Sequence, residues 1–160
     1  MEKHNIDPVF NEDSRVLILG SFPSVKSRET AFFYGHPQNR FWKVMAGLFN
    51  EEIPETVQQK KDLLLRNHTA VWDVIASCEI TGSADQSFSN VTPNDLDLFL
   101  SKADIQKIFC NGSKSYELYM KHIYPVNGLK PEKLPSTSPA NAAFSLERLL
   151  EKWKVIVDFL

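Results

Sequence analysis

Apolar positions change period several times along the 160-residue chain, and each change marks an element. RVLILG (15–20) is a continuous apolar run closed by Gly, the pattern of a strand buried on both faces. RFWKVMAGLF (40–49) sets Phe41, Val44, Met45 and Leu48 along one helical face, and ETVQQKKDLLLRN (55–67) predicts a second helix. TAVWDVIAS (69–77) predicts another buried strand, IQKIFCNG (105–112) a third, and EKLPSTS (132–138) a fourth that runs into a loop. TPNDLDLFLSKA (92–103) offers Thr92 as N-cap, Pro93 at the first helical position and acids in the first turn, so it predicts a helix. SKSYELYMKHIY (113–124) predicts a helix with Ser113 as a possible cap, and SLERLLEKWKVIVDFL (145–160) closes the chain as an amphipathic helix.

Strands alternating with helices build a parallel sheet covered on both faces. The length favours one domain spanning residues 1–160, and no repeat or linker divides it. Ligands of such sheets collect beyond the C-terminal ends of the strands. That directs attention to GSFPS (20–24) and the aromatic run after it, to Asp73 through SCEITGSADQS (77–87), to NGSKS (111–115) and to PSTSPANAA (135–143).

Composition narrows the class. Apolar content of 42% and charged content of 24% are those of an ordinary soluble domain. No apolar run reaches the roughly 20 residues that cross a bilayer, so no membrane association is expected. The polar start MEKHNIDPVFNEDS has no signal core, and a cytoplasmic protein is expected. Cys78 and Cys110 sit in apolar surroundings and read as buried free thiols. With no CxxC pair and four scattered His, neither a metal nor another cofactor is expected. A net charge of -2 argues against coating nucleic acid through bulk charge, and leaves room for a local basic face.

The densest chemistry lies in FFYGHPQNRFW (32–42), too irregular in pattern for one helix or strand. Phe41 and Trp42 read as core. Tyr34, before the turn Gly35-His36-Pro37, is placed to present its ring to a flat ligand. Asn39 suits a helix cap as well as a pocket amide; Arg40 suits a solvated or paired side chain. In GSFPS, Gly20 permits a close turn and Pro23 fixes it. Asp73 interrupts an apolar strand, and a buried carboxylate needs partners, so a structural and a functional role weigh equally. The residues by themselves stop at an α/β protein with a pocket for a planar, polar ligand.

Taken in order, RVLILGSFPS, FFYGHPQNRFWKVM, AVWDVI, IFCNGSKSYELY and LPSTSPANA resemble the uracil-DNA glycosylase superfamily over about residues 15 to 150, most closely its mismatch-specific and hypoxanthine-DNA glycosylase branches. The resemblance implies a three-layer α/β sandwich around a four-stranded parallel sheet. It implies a monofunctional, monomeric hydrolase that cleaves the N-glycosidic bond of a deaminated base in double- or single-stranded DNA during base-excision repair. Gly20 and Pro23 match the first motif, which with Ser21 and Phe22 would present base-facing backbone. Phe22 stands where several branches have a catalytic Asn or Asp. The hypoxanthine branch also lacks that residue and relies on an Asn that matches Asn39, here the catalytic candidate. Tyr34 matches the stacking aromatic, and Asp73 falls on the strand where other branches place a base-reading Asn. Ser24, Ser136, Ser138, Pro139, Ala140 and Asn141 would contact DNA. Ser136 replaces a His of some branches, and Ala140 and Asn141 replace a bulkier wedge. These departures favour hypoxanthine, with uracil or xanthine as further substrates. The alternative is a non-catalytic module of the same fold that binds a nucleobase or damaged DNA; a hydrolase of free nucleosides is a weaker option.

Overall fold

A computed structural model of the chain describes residues 1–81 and 87–160. Its centre is a parallel sheet of four strands in the order β3-β2-β6-β7. The elements follow one another as β1 (Glu2–Lys3), β2 (Val16–Gly20), α1 (Val25–Thr30), α2 (Phe41–Phe49), α3 (Val57–Arg66), β3 (Thr69–Asp73), β4 (Ile75–Thr81), β5 (Ser87–Pro93), α4 (Asp97–Leu100), β6 (Lys107–Asn111), α5 (Ser113–His122), α6 (Tyr124–Asn127), β7 (Glu132–Leu134) and α7 (Leu146–Trp153), with a terminal 3₁₀ helix at Lys154–Phe159. The expected α/β sandwich with its four parallel strands is present.

Strand β2 explains why both faces are covered. Val16, Leu17, Ile18 and Leu19 are all 0% exposed. Successive side chains point to opposite faces. Val16 and Ile18 join a core with Phe41, Met45, Leu63, Leu149 and Trp153, on the side of α2, α3 and α7. Leu17 and Leu19 join Phe99, Tyr119 and Ile123, on the side of α4 and α5. Both cysteines are free and buried, as expected, and burial pushes the Cys110 thiol up to about 12.

Capping sets the helix ends. Thr56 accepts from the Gln59 N–H while the Gln59 side chain accepts from the Thr56 N–H, a reciprocal capping box that opens α3. Ser145 caps α7 by accepting from the Arg148 N–H at 3.2 Å. At α5 the cap position belongs to Gly112, not Ser113. Its φ of 95° is the left-handed region that disfavours side chains, and a Cβ there would stand 3.0 Å from Ser136 Cβ.

Two expectations fail together. The segment 69–77 is not one strand: it leaves the parallel sheet after Asp73, and Ile75 begins an antiparallel sheet of order β1-β4-β5. The helix expected from Thr92 is strand instead, with Thr92 opposite Ser77 and Pro93 opposite Ile75. Asn94 accounts for both. Its buried amide donates to the carbonyls of Asp73 (2.8 Å) and Ile75 (3.2 Å), and its backbone N–H donates to Val74 (2.7 Å). Those three bonds pin residue 94 across the break between β3 and β4, so a helix starts only at Asp97, where the Asp95 side chain accepts its N–H. Asn94→Ala leaves two buried carbonyls unpaired and is expected to lower unfolding free energy by about 2–3 kcal/mol, measured by urea denaturation.

Candidate active site

A cavity of about 280 Å³ opens beyond the C-terminal ends of β2, β3 and β6, at the small end of the range for ligand pockets. Its lining includes Gly20, Ser21, Phe22, Pro23 and Ser24 from the first strand end, Tyr34 and Asn39 from the aromatic segment, Asp73 from the end of β3, and Ser136, Ser138 and Pro139 from the last loop. The cavity thus gathers eleven of the thirteen expected positions. Ala140 and Asn141 lie outside it. Ser27, Phe33, His36, Asn111 and Thr137 also line it. Of SCEITGSADQS, residues 82–86 lie outside the described residues.

Asp73 is 4% exposed. Its Oδ2 accepts a 2.8 Å hydrogen bond from His4 Nε2, a partner that no motif announces. Its Oδ1 crowds Gly20: a Cβ on that glycine would stand 2.3 Å from Oδ1 and 3.1 Å from the Tyr34 hydroxyl. Only glycine lets the carboxylate and the phenol approach the backbone this closely. The Tyr34 hydroxyl is buried and, among the described residues, meets no partner in hydrogen-bond geometry. Burial first, and the Asp73 charge second, hold its pKa far above the usual range, so it remains a donor. Tyr34 has a φ of 53°, uncommon for a non-glycine residue, and its ring lies on Phe41 with centroids 4.0 Å apart at 17°. Phe41 and Trp42 are buried as expected, and Trp42 donates to the Phe33 carbonyl at 3.2 Å.

Asn39 is not the cap of α2; Arg40 occupies that position. The Asn39 Oδ1 accepts from the Phe41 N–H (3.0 Å) and from the Thr137 hydroxyl (2.9 Å). Thr137, fully buried, is in turn gripped by Asn111, whose Nδ2 donates to the Thr137 hydroxyl (3.0 Å) and whose Oδ1 accepts its N–H (3.1 Å). Because a backbone N–H can only donate, the oxygen of Asn39 must face Phe41. Its NH₂ is therefore the group left over. The sequence reading passed over Thr137 between Ser136 and Ser138; a hydroxyl between two serines carries no local signal of burial.

Arg40, half-buried, is paired with backbone carbonyls, and among the described residues with no acid. Its guanidinium donates to three carbonyls of the last loop: Phe144, Ser138 (3.0 Å) and Asn141 (3.0 Å). The loop also braces itself, with the Ser136 Oγ accepting from the Ser138 N–H and the Ser138 Oγ from the Ala140 N–H, each at 3.1 Å. Asn141 serves that frame by donating to the Ser136 carbonyl at 3.0 Å.

A family model for the Uracil DNA glycosylase superfamily matches residues 8–159. The chain belongs to this superfamily. It is 31% identical over 160 residues to the hypoxanthine DNA glycosylase of Methanosarcina acetivorans, covering 98% of each chain. To the hypoxanthine DNA glycosylase of Methanosarcina barkeri it is 30% identical over 143 residues, covering 88% of this chain and 89% of the other. The fold superposes on the solution NMR structure of a candidate uracil DNA glycosylase from Methanosarcina acetivorans with a TM-score of 0.80 and 31% identity, over 98% of this chain and 97% of that one. Among the described residues of this superfamily member, no helix is long and apolar enough to cross a membrane.

Arg40→Met keeps length and removes all three carbonyl bonds. It is expected to lower stability by about 2–4 kcal/mol and to speed amide exchange across residues 136–144, read by hydrogen-exchange mass spectrometry.

Proposed function

We propose that the protein is a monofunctional DNA glycosylase, which hydrolyses the N-glycosidic bond of a deaminated base as the first step of base-excision repair. Hypoxanthine is its preferred base, and uracil or xanthine are secondary ones. It acts as a monomer in the cytoplasm. The observation that carries this reading is the meeting of Tyr34 and Asn39, from the aromatic segment, with Asp73, from the end of β3, in one small cavity. Membership of the superfamily supports the reaction class, and the two Methanosarcina relatives named as hypoxanthine DNA glycosylases support the base.

The chemistry suits these groups. Glycosidic cleavage passes through an oxocarbenium-like sugar, so the enzyme must stabilise the leaving base and hold a water; a strong nucleophile is not required. Asp73 Oδ1 accepts from the N1–H of hypoxanthine. Adenine carries an acceptor at N1, and two acceptors repel. The N–H groups of Ser21 and Phe22 donate to O6. With one face of its ring on Phe41, Tyr34 stacks the flipped base on the other, a contact worth about 1–3 kcal/mol. Asn39, its oxygen held by Phe41 and Thr137, offers its NH₂ to the attacking water. The serines of the last loop accept from loop amides and keep their O–H groups to donate to phosphate, beside Pro139, Ala140 and Asn141 on the DNA side. Extruding the base costs least at a mispair, which adds selectivity.

Phe22 lines the pocket where other branches have a polar side chain, and this favours a second reading, binding without cleavage. Duplexes carrying one deoxyinosine, deoxyuridine or deoxyxanthosine, treated with protein and then alkali, separate the two. Breaks at deoxyinosine are expected. Tight binding with no base release supports the second reading, and no breaks on any lesion sink the glycosylase. Asn39→Ala should slow single-turnover release about a hundredfold or more while DNA affinity stays within about twofold. Thr137→Val, which removes only the hydroxyl that holds Asn39, should slow it about tenfold.

A further inference from the structure

The N-terminal segment packs behind the pocket wall and reaches the lining residue Asp73 through His4. Strand β1 pairs with β4, setting Glu2 opposite Cys78 and Lys3 opposite Ser77, and the His4 N–H donates to Ala76 at 2.7 Å. Asn5 Nδ2 donates to the Arg28 carbonyl at 3.0 Å, and Trp72 Nε1 to the Ile6 carbonyl at 3.3 Å. These bonds deliver the imidazole of His4, 4% exposed, to the Asp73 carboxylate, 5% exposed. The ring is caged by Phe22, Phe33 and Trp72, with centroids 6.1, 6.0 and 6.0 Å away.

Hydrogen bonding fixes the tautomer. The Ile6 N–H donates to His4 Nδ1 at 3.3 Å, so Nδ1 is the acceptor and Nε2 carries the proton given to Asp73 Oδ2. With Oδ2 so held, Oδ1 is the carboxylate oxygen that lies against Gly20, where Asp73 lines the cavity.

We infer that His4 is a positioning residue for base selection: by holding Oδ2 it keeps Oδ1 of Asp73 aimed at the pocket as an acceptor for a base N–H. The inference rests on the glycosylase reading for its substrate. Neither the superfamily match, which starts at residue 8, nor any motif in the sequence includes His4. A carboxylate released from His4 rotates among several orientations, and its discrimination between a base with N1–H and one without is lost.

Two variants separate the hydrogen bond from packing. His4→Phe keeps a ring in the aromatic cage and drops the donor; His4→Gln restores an amide N–H near the position of Nε2. Two readouts are needed. The first is single-turnover release of hypoxanthine from an inosine duplex. The second is equilibrium binding to duplexes with 2′-fluoro-deoxyinosine or 2′-fluoro-deoxyadenosine, where the fluorine disfavours the cationic sugar and blocks cleavage. His4→Phe is expected to slow release about tenfold or more and to collapse the inosine-over-adenosine binding ratio by a similar factor. His4→Gln should recover both to within about threefold, and in an Asp73→Asn background His4→Phe should change either by less than about twofold. Wild-type behaviour of His4→Phe in both readouts overturns the inference and leaves the glycosylase reading standing. So does a His4→Gln variant as impaired as His4→Phe with an unchanged melting temperature. A wild-type protein that discriminates in binding but releases no base overturns the glycosylase reading alone. One that does neither overturns both.

Discussion

A carboxylate held out of water sets the terms for the whole pocket. Asp73 ends a strand that is otherwise apolar, and it is 4% exposed. A buried ionised group must be answered by donors, and a well-packed apolar residue often serves stability as well or better. The chain answers this group from far away: His4 lies 69 residues upstream and reaches Oδ2, while Gly20 on the adjacent strand gives up its side chain so that Oδ1 has room. Such an arrangement is hard to account for by stability alone. It makes sense if Oδ1 is to accept from something that enters the cavity.

The other half of the pocket is organised by the same principle in neutral form. Neither the turn before α2 nor the loop after β7 has a ladder to satisfy its backbone, so side chains take over. Arg40 collects three carbonyls of the last loop, and its own N–H donates to the Thr137 carbonyl at 3.1 Å. Thr137 then passes the order inward to Asn39, with Asn111 at the end of β6 holding it from behind. The loop's contact surface and the orientation of the Asn39 amide are thus parts of one network. Pre-set donors of this kind need no reorganisation when charge develops in a transition state.

The elements that depend on local pattern were legible in the sequence. Continuous apolar runs marked β2, β3 and β6, helical spacing marked α2, α3, α5 and α7, and the strand-end rule led to the cavity. Residues whose role depends on distant partners were not. The signature at Thr92 and Pro93 is a good helix start, yet Asn94 bonds to carbonyls on either side of the β3–β4 break and draws the segment into a sheet. His4 looked like one of four scattered histidines because its partner is far along the chain. Arg40 read as a solvated or paired side chain with no partner named, because its three acceptors are backbone carbonyls, which no composition records. Tyr34 and Asn39 were assigned roles only by family resemblance; geometry adds that, among the described residues, the Tyr34 hydroxyl meets no partner and that the Asn39 oxygen is held by two donors.

Phe22 shows how the parts of the site depend on one another. A polar side chain at this position would be one more group able to hold water. The ring instead meets the edge of His4 at 6.1 Å and of Phe88 at 6.3 Å, and the guanidinium carbon of Arg28 lies 5.4 Å from its centroid. It thereby covers one side of the His4 ring, and a drier surrounding strengthens each electrostatic contact made there. The polar duties proposed for Asp73 and Asn39 then belong to side chains that sit on different segments and are oriented by different partners. In the proposed reading base recognition and water holding rest on different networks, so a change in His4 should alter which base is chosen as well as how fast it is released, and a change in Thr137 only the rate.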